Sequence, residues 1–195
     1  IYQPDAKRLL AYSSIAQIGY MVLGIGLGSA LGLTATIVHV FNHALMKGAL
    51  FMALGALVYR VGSTRMHKIR GLGRQMPWTF TAIFIAGLSL IGVPGTAGFI
   101  SKWYLVLAAI EQQSWLIAII ILAGSLLAVA YMWNLIEALF FQQPEPRAEP
   151  VREAPLSMLV PMWLLVIANI WFGLDTGLTV GIAETAVQLL GVNGT

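Results

Sequence analysis

His39, His43 and Lys47 stand four residues apart in an apolar run. On an α-helix that spacing keeps them along one face, drifting about 40° per step. The row covers roughly 12 Å of helix axis at about 1.5 Å per residue. Imidazole exchanges protons near neutral pH, and a buried lysine can give up its proton. Three such groups one turn apart, with water between them, would make a proton relay. Two blander roles compete. A single histidine between helices can serve as a hydrogen bonder, and Asn42 reads that way. Histidines at i and i+4 can also hold zinc. Carboxylate or thiolate partners are not evident in the neighbouring sequence, and a lysine beside the site repels a cation, so no metal is expected.

A fourth group of this kind is Lys102. It follows Gly92, Pro94, Gly95 and Gly98, which interrupt an apolar region at residues 78–111. That region is too long for one comfortable membrane helix of about 20 residues and too short for two with a turn. Proline removes a backbone donor, and glycine tolerates open conformations. A helix broken at membrane depth fits, and such backbone survives only inside protein or beside a wet cavity. A charged lysine there costs about 2.5–3.5 kcal/mol on insertion scales and marks a functional position. The alternative is a simple loop between two short helices, with Lys102 at the surface.

The elements that must position these groups are membrane helices. The chain of 195 residues is 58% apolar and 10% charged, with mean hydropathy +0.82. Soluble domains carry roughly 25% charged residues, so a single soluble core is excluded. The net charge of +3 does not point to nucleic acid, because the basic residues sit in short connections. There is no cysteine, which rules out disulfides and thiolate metal sites. The chain opens on Ile1-Tyr2-Gln3-Pro4 without methionine, as expected of a piece of a longer subunit. Lys7-Arg8 before an apolar run resembles a signal peptide, but Tyr12, Ser13, Ser14 and Gln17 interrupt that run.

Five spans are predicted, at residues 9–27, 33–59, 78–111 (the broken helix), 115–141 and 156–174. The loop at 142–155 is polar and proline-rich. Residues 1–175 form the transmembrane bundle, and 176–195 an amphipathic or flexible tail that can lie along the membrane surface. Lys7 and Arg8, the cluster Arg60, Arg65, His67, Lys68, Arg70 and Arg74, and the pair Arg147 and Arg152 all fall on one side of five spans. The opposite connections contain no lysine or arginine. By the positive-inside rule the basic loops are cytoplasmic and the protein is a multi-pass protein of the cell inner (plasma) membrane. Glu137, a turn from the basic end of the fourth span, either pairs with a loop arginine or receives protons at the mouth of a path. Lys7 is the other candidate entrance. Glu111 reads as interfacial on the far side, Trp78 and Trp115 as interface anchors, and Trp103 as packing at the break.

From residues alone two readings stand: an ion- or proton-conducting subunit, or a structural membrane subunit whose polar residues only join helices. The first accounts for Lys47 and Lys102 lacking an acid nearby in sequence. Neither contains a catalytic constellation, a phosphate loop or a cofactor motif.

Three ordered motifs add to this. Asp5-Ala6-Lys7-Arg8-Leu9-Leu10-Ala11-Tyr12-Ser13-Ser14-Ile15-Ala16-Gln17-Ile18-Gly19-Tyr20 resembles a signature of the antiporter-like subunits of respiratory complex I and of Mrp-type multisubunit sodium/proton antiporters. The run from His39 through Lys47 to Phe51 is similar to that family's histidine-rich helix, and Gly92 through Trp103 to its second broken helix. The resemblance implies fourteen helices and two inverted five-helix repeats, of which this chain would be the last five. It implies that His39, His43 and Lys47 line a buried charged axis ending at Lys102. It implies partner membrane subunits, contact with lipid, and transport of protons, with sodium or another monovalent cation in exchange. Ser101-Lys102-Trp103-Tyr104 resembles the Mrp D-type subunit more than the complex I paralogues. A proton-pumping subunit of a complex I-like oxidoreductase or membrane-bound hydrogenase is the alternative, and only there would the assembly be an enzyme, a translocase.

Overall fold

The computed structural model describes residues 2–144 and 150–192. Arg147, counted above among the basic loop residues, lies outside the described residues, as do 193–195 of the tail. The described residues form helices α1 (Ala6–Gly26), α2 (Ala30–Val61), α3 (Pro77–Ile91), α4 (Ala97–Glu111), α5 (Trp115–Ile136), α6 (Leu156–Leu174) and α7 (Gly177–Leu189). Four are long and apolar enough to cross a membrane: α1, α2, α6 and α5 with its continuation to Phe141. α3 is shorter, at 15 residues.

The boundaries follow from capping. The Asp5 side chain accepts the Arg8 amide at 3.1 Å and starts α1. It also accepts the Thr64 hydroxyl at 2.8 Å, tying the chain start to the loop after α2. Burial works against ionisation of Asp5, and the hydrogen bonds from Arg8 and Thr64 outweigh it, so its carboxyl sits below the usual carboxylate range. Ser29 caps α2 by accepting the Gly32 amide at 3.1 Å. These caps place α1 and α2 a few residues outside the spans read from hydropathy. α6 coincides with its predicted span, and α5 reaches Phe141 through a turn of π-helix at Glu137–Phe141.

α2 is the centre of the bundle. It packs against α1, α3, α4, α6 and α7. Ala49, Ala53 and Ala56 are fully buried along it, and small residues let neighbouring backbones approach closely. α7 rests on α2 through Val38, Val180 and Ala183. The main core runs from Leu9 and Leu10 of α1 through Leu50 and Leu57 to Ile83, Leu90, Leu135 and Val166.

The loop after α5 is strapped to the start of α3. The carboxylate of Glu153 accepts the Trp78 amide at 2.8 Å, the Thr79 amide at 3.4 Å and the Thr79 hydroxyl at 2.6 Å. α3 has Pro77 in its first turn and no side-chain cap from its own N-cap residue. Arg60 donates to the Glu153 carbonyl, and Gln75 accepts the Val151 amide at 2.7 Å.

Candidate functional site

Helical geometry turns His39 and Lys47 inward from α2, where they are 2% and 5% exposed. His43 is half-buried, and its ring stacks on His39 with centroids 6.3 Å apart. The Nε2 atoms of both histidines are buried without a hydrogen-bond partner among the described residues. His39 Nδ1 lies 2.7 Å from Ser101 Oγ, and its ring meets Tyr20 edge-on at 5.8 Å. Lys102 and His43 are both electrostatic neighbours of His39, and Lys47 is one of His43. The order along the site is therefore Lys47, His43, His39, Lys102.

Neither lysine makes its described contacts to an acid. Lys47 Nζ donates to the Leu10 carbonyl at 2.7 Å and to Ser13 Oγ, both on α1. Lys102 Nζ donates to the carbonyls of Leu90 and Ile91, each at 2.9 Å, and to Ser125 Oγ at 3.2 Å. It also lies 5.1 Å from the centre of the Tyr20 ring. Leu90 and Ile91 close α3, and the last carbonyls of a helix have no partner of their own. Lys102 reaches back from α4 to satisfy them. Lys102 is 5% exposed, which sets aside the reading in which it lies at a loop surface.

The junction between α3 and α4 spans residues 92–96. Gly92 has φ 94° and ends α3, and Gly95 has φ 86°. A Cβ on Gly92 would come within 3.0 Å of the Lys102 side chain. Pro94 is exposed. Gly98 belongs to the first turn of α4 rather than to the junction. Its role is close approach: a Cβ there would overlap the Ser89 carbonyl oxygen. Ser89 Oγ donates to Asn169 Oδ1 at 2.9 Å and accepts the Gly98 amide at 3.1 Å. Asn42 Nδ2 donates to the Ala97 carbonyl at 2.6 Å. Residues of α2, α3 and α6 thus hold the start of α4.

Glu137 opens the π-helical turn and lines a crevice of roughly 410 Å3 with His67, Arg70, Tyr2 and Gln3. Lys7 is exposed on the first turn of α1. Glu111 ends α4, exposed. Trp78 and Trp115 are exposed near helix starts. Trp103 does not pack into the junction; it is half exposed and stacks on Phe99 at 5.9 Å. Lys102 takes the inward position there, and the next residue of a helix points about 100° away.

Ser13, Ser101, Ser125, Ser89 and Asn169 belong to the site and were not singled out from sequence as site residues. Ser13, Gln17 and Tyr20, at helical spacing and buried on α1, are the sequence feature from which the inward face of α1 could have been read. Among the described residues no group of three or more His, Cys, Asp or Glu could hold a metal ion.

A family model described as "NADH:quinone oxidoreductase/Mrp antiporter, TM" matches residues 1–128. The chain belongs to this family. The N-type subunit of NADH-quinone oxidoreductase from Desulforudis audaxviator is 42% identical over 186 residues, covering 89% of this chain and 37% of that protein. The D-type subunit of the Na(+)/H(+) antiporter from Alkalihalophilus pseudofirmus is 34% identical over 173 residues, covering 89% and 35%. A chain of the membrane-bound sulfane sulfur reductase, an archaeal respiratory membrane complex, superposes with a TM-score of 0.86 at 39% identity, covering 91% of this chain and 30% of that one. This chain thus spans about a third of the length of these relatives. The two curated names divide between an oxidoreductase and an antiporter, and both describe subunits of larger assemblies.

Proposed function

We propose that this chain forms a proton-conducting portion of an antiporter-like subunit in a multisubunit membrane complex. Protons pass along Lys47, His43, His39 and Lys102 with water between them. The observation that carries this reading is the pair of buried lysines held by helix carbonyls and serine hydroxyls. An ammonium held only by neutral oxygens is stabilised less than one in an ion pair, so loss of its proton strands no buried anion. A buried charge with only a structural role is usually paired with an opposite one. The unpartnered Nε2 atoms of His39 and His43 supply further proton-accepting positions in the row.

In this reading α3 and α4 are two halves of one broken membrane-crossing helix, giving five spans with the basic loops cytoplasmic. A 15-residue helix is about 22 Å long, short of the roughly 30 Å hydrocarbon core. α3 and α4 also pack more on α2 than on each other, which supports a single interrupted crossing over a hairpin.

The coupling partner has two readings. The 42% identity to an oxidoreductase subunit, against 34% to a D-type antiporter subunit, favours a redox-driven assembly. The Ser101–Tyr104 run favours the Mrp-type antiporter, with sodium or another monovalent cation exchanged for protons. Purifying the complex through this subunit and identifying its partners separates them: redox-centre subunits support the first, small cation-antiporter subunits the second.

The proton path itself is tested by Lys47→Ala in the assembled complex. Coupled proton transport is expected to fall at least ten-fold while assembly persists. Transport at the normal rate would remove Lys47 from the path.

A further inference from the structure

Ser13, Gln17 and Tyr20 are buried along one face of α1. That face meets both ends of the row. Ser13 receives Lys47 Nζ. Tyr20, about two turns and roughly 10 Å further along the helix, meets Lys102. Lys102 Nζ stands over the Tyr20 ring, 5.1 Å from its centre. His39 packs against the same ring at 83°, with centroids 5.8 Å apart. One aromatic side chain touches the last two members of the row.

The ring is fixed from its far side. Its hydroxyl donates to the Ile121 carbonyl on α5 at 3.3 Å. Ser125, which receives Lys102 Nζ, lies within side-chain interaction range of that hydroxyl. A Cβ on Gly124 would overlap the hydroxyl, so Gly124 leaves the notch that the tip of Tyr20 fills. Ala35, Leu105 and Ile121 pack around the ring. An ammonium over an aromatic face is attracted by the ring quadrupole, more strongly where water is excluded. A neutral amine lacks the charge on which that attraction depends.

We infer that Tyr20 is a positioning residue for the step between His39 and Lys102, its ring holding the Lys102 ammonium as the proton arrives. In that step the His39 imidazolium gives up one proton, directly or through water, and the Lys102 amine takes it. His39 is left neutral, and the charge comes to rest against the Tyr20 ring. The tether to α5 keeps the ring in place through the exchange. The inference rests on the proposed proton path and adds to it a residue that itself carries no proton.

The test uses the assembled full-length complex in sealed vesicles, with proton transport compared at matched complex content and thermal midpoint. Tyr20→Phe keeps the ring and is expected to retain most of the transport. Tyr20→Leu keeps apolar bulk without the ring and is expected to lose several-fold. A fluorinated series at position 20 separates the ring's electrostatics from its bulk. Phenylalanine and its mono-, di- and trifluoro forms are introduced by nonsense suppression. Each fluorine withdraws negative potential from the ring face with little change of volume. Transport is expected to fall stepwise, by about five-fold across the series, at constant stability. A space-filling tyrosine gives a flat series. A flat or rising series overturns the inference, as does parental transport in Tyr20→Leu. So does a Tyr20→Phe complex that assembles without transporting, which would place the role in the hydroxyl. Lys102→Ala, measured alongside, separates the two failures. If it stops transport while the series is flat, only the role of Tyr20 has failed. If it transports normally, Lys102 leaves the path and the role of Tyr20 falls with it.

Discussion

Lys102 Nζ, carried by the second turn of α4, donates to the carbonyl oxygen of Leu90 in the last turn of α3 at 2.9 Å. One side chain thus closes the helix it does not belong to. The carbonyl end of α3 attracts the ammonium, as helix C-termini do. Burial opposes the charge. A group held between these opposing terms can respond to water arriving at the junction.

Lys102→Ala in the assembled complex is therefore expected to lower coupled transport at least ten-fold. Lys102→Arg is not expected to restore it. Arginine stays protonated in proteins, and its planar fork does not match two carbonyls and a hydroxyl arranged for an ammonium. Proton flux in reconstituted vesicles, compared at matched complex content, decides the matter. Full activity in Lys102→Arg would show that fixed charge suffices and that deprotonation is not part of the cycle.

The helical row on α2 was legible because a period of four in an apolar run is visible without tertiary structure. The junction was legible because Gly92, Pro94 and Gly95 announce it. Gly98 looked like part of the same signal, yet it is helical, and only its distance to Ser89 shows why a side chain is excluded. The hydroxyls that hold the lysines come from elsewhere in the chain: Ser13 is 34 residues from Lys47, and Ser125 is 23 from Lys102. Serine is common in membrane helices, so nothing in its local sequence tells a ligand of an ammonium from a helix-backbone bonder such as Ser14, which donates to Leu10. Glu153 sits in a proline-rich loop that reads as exposed. The missing local cap before Pro77 is the one clue that a distant acceptor would be needed.

The clamp on α4 yields its own prediction. Asn169 is fully buried and receives the Ser89 hydroxyl, while Ser89 receives the Gly98 amide. Asn169→Ala leaves that chain one member short, at a cost of about 1–3 kcal/mol. Gly98→Ala forces a methyl into the Ser89 carbonyl, and overpacking of this kind costs about 1–3 kcal/mol or more. Both variants should lower the thermal midpoint of the complex by several degrees. Asn169→Asp should not recover the loss, because it keeps an acceptor for Ser89 but gives up the Nδ2 donor to the Leu165 carbonyl and buries a carboxyl group. A Gly98→Ala complex as stable as the parent would contradict the close approach.

The sidedness proposed above rests on the basic connections. On the proposal that α3 and α4 make one crossing, Ser63, just beyond α2, and Ser114, just before α5, would lie on opposite faces of the membrane. Cysteines placed at the two positions should be reached by a membrane-impermeant thiol reagent from opposite sides of sealed vesicles, Ser63→Cys from the cytoplasmic side. Labelling of both from one side would require two separate crossings by α3 and α4, or none.

The strap at Glu153 sets the position of α3, and through Leu90 and Ile91 the carbonyls that receive Lys102. Pro77 has no amide to donate, so the amides of Trp78 and Thr79 are the first that need an acceptor, and one carboxylate oxygen takes both. The other oxygen accepts from the Thr79 hydroxyl. Glu153→Ala removes every one of these acceptors together with a negative charge at a helix N-terminus. Loss of a capping side chain costs about 0.5–2 kcal/mol, and the charge adds about 0.3–1 kcal/mol at low salt. Glu153→Gln keeps an amide oxygen for the backbone and loses the charge, so it should fall between parent and Ala. The three proteins, compared by thermal unfolding at low and high salt, should rank parent, Gln, Ala, with the Gln-to-parent gap narrowing as salt rises. If Ala and parent unfold together, the loop is resting against α3 rather than holding it.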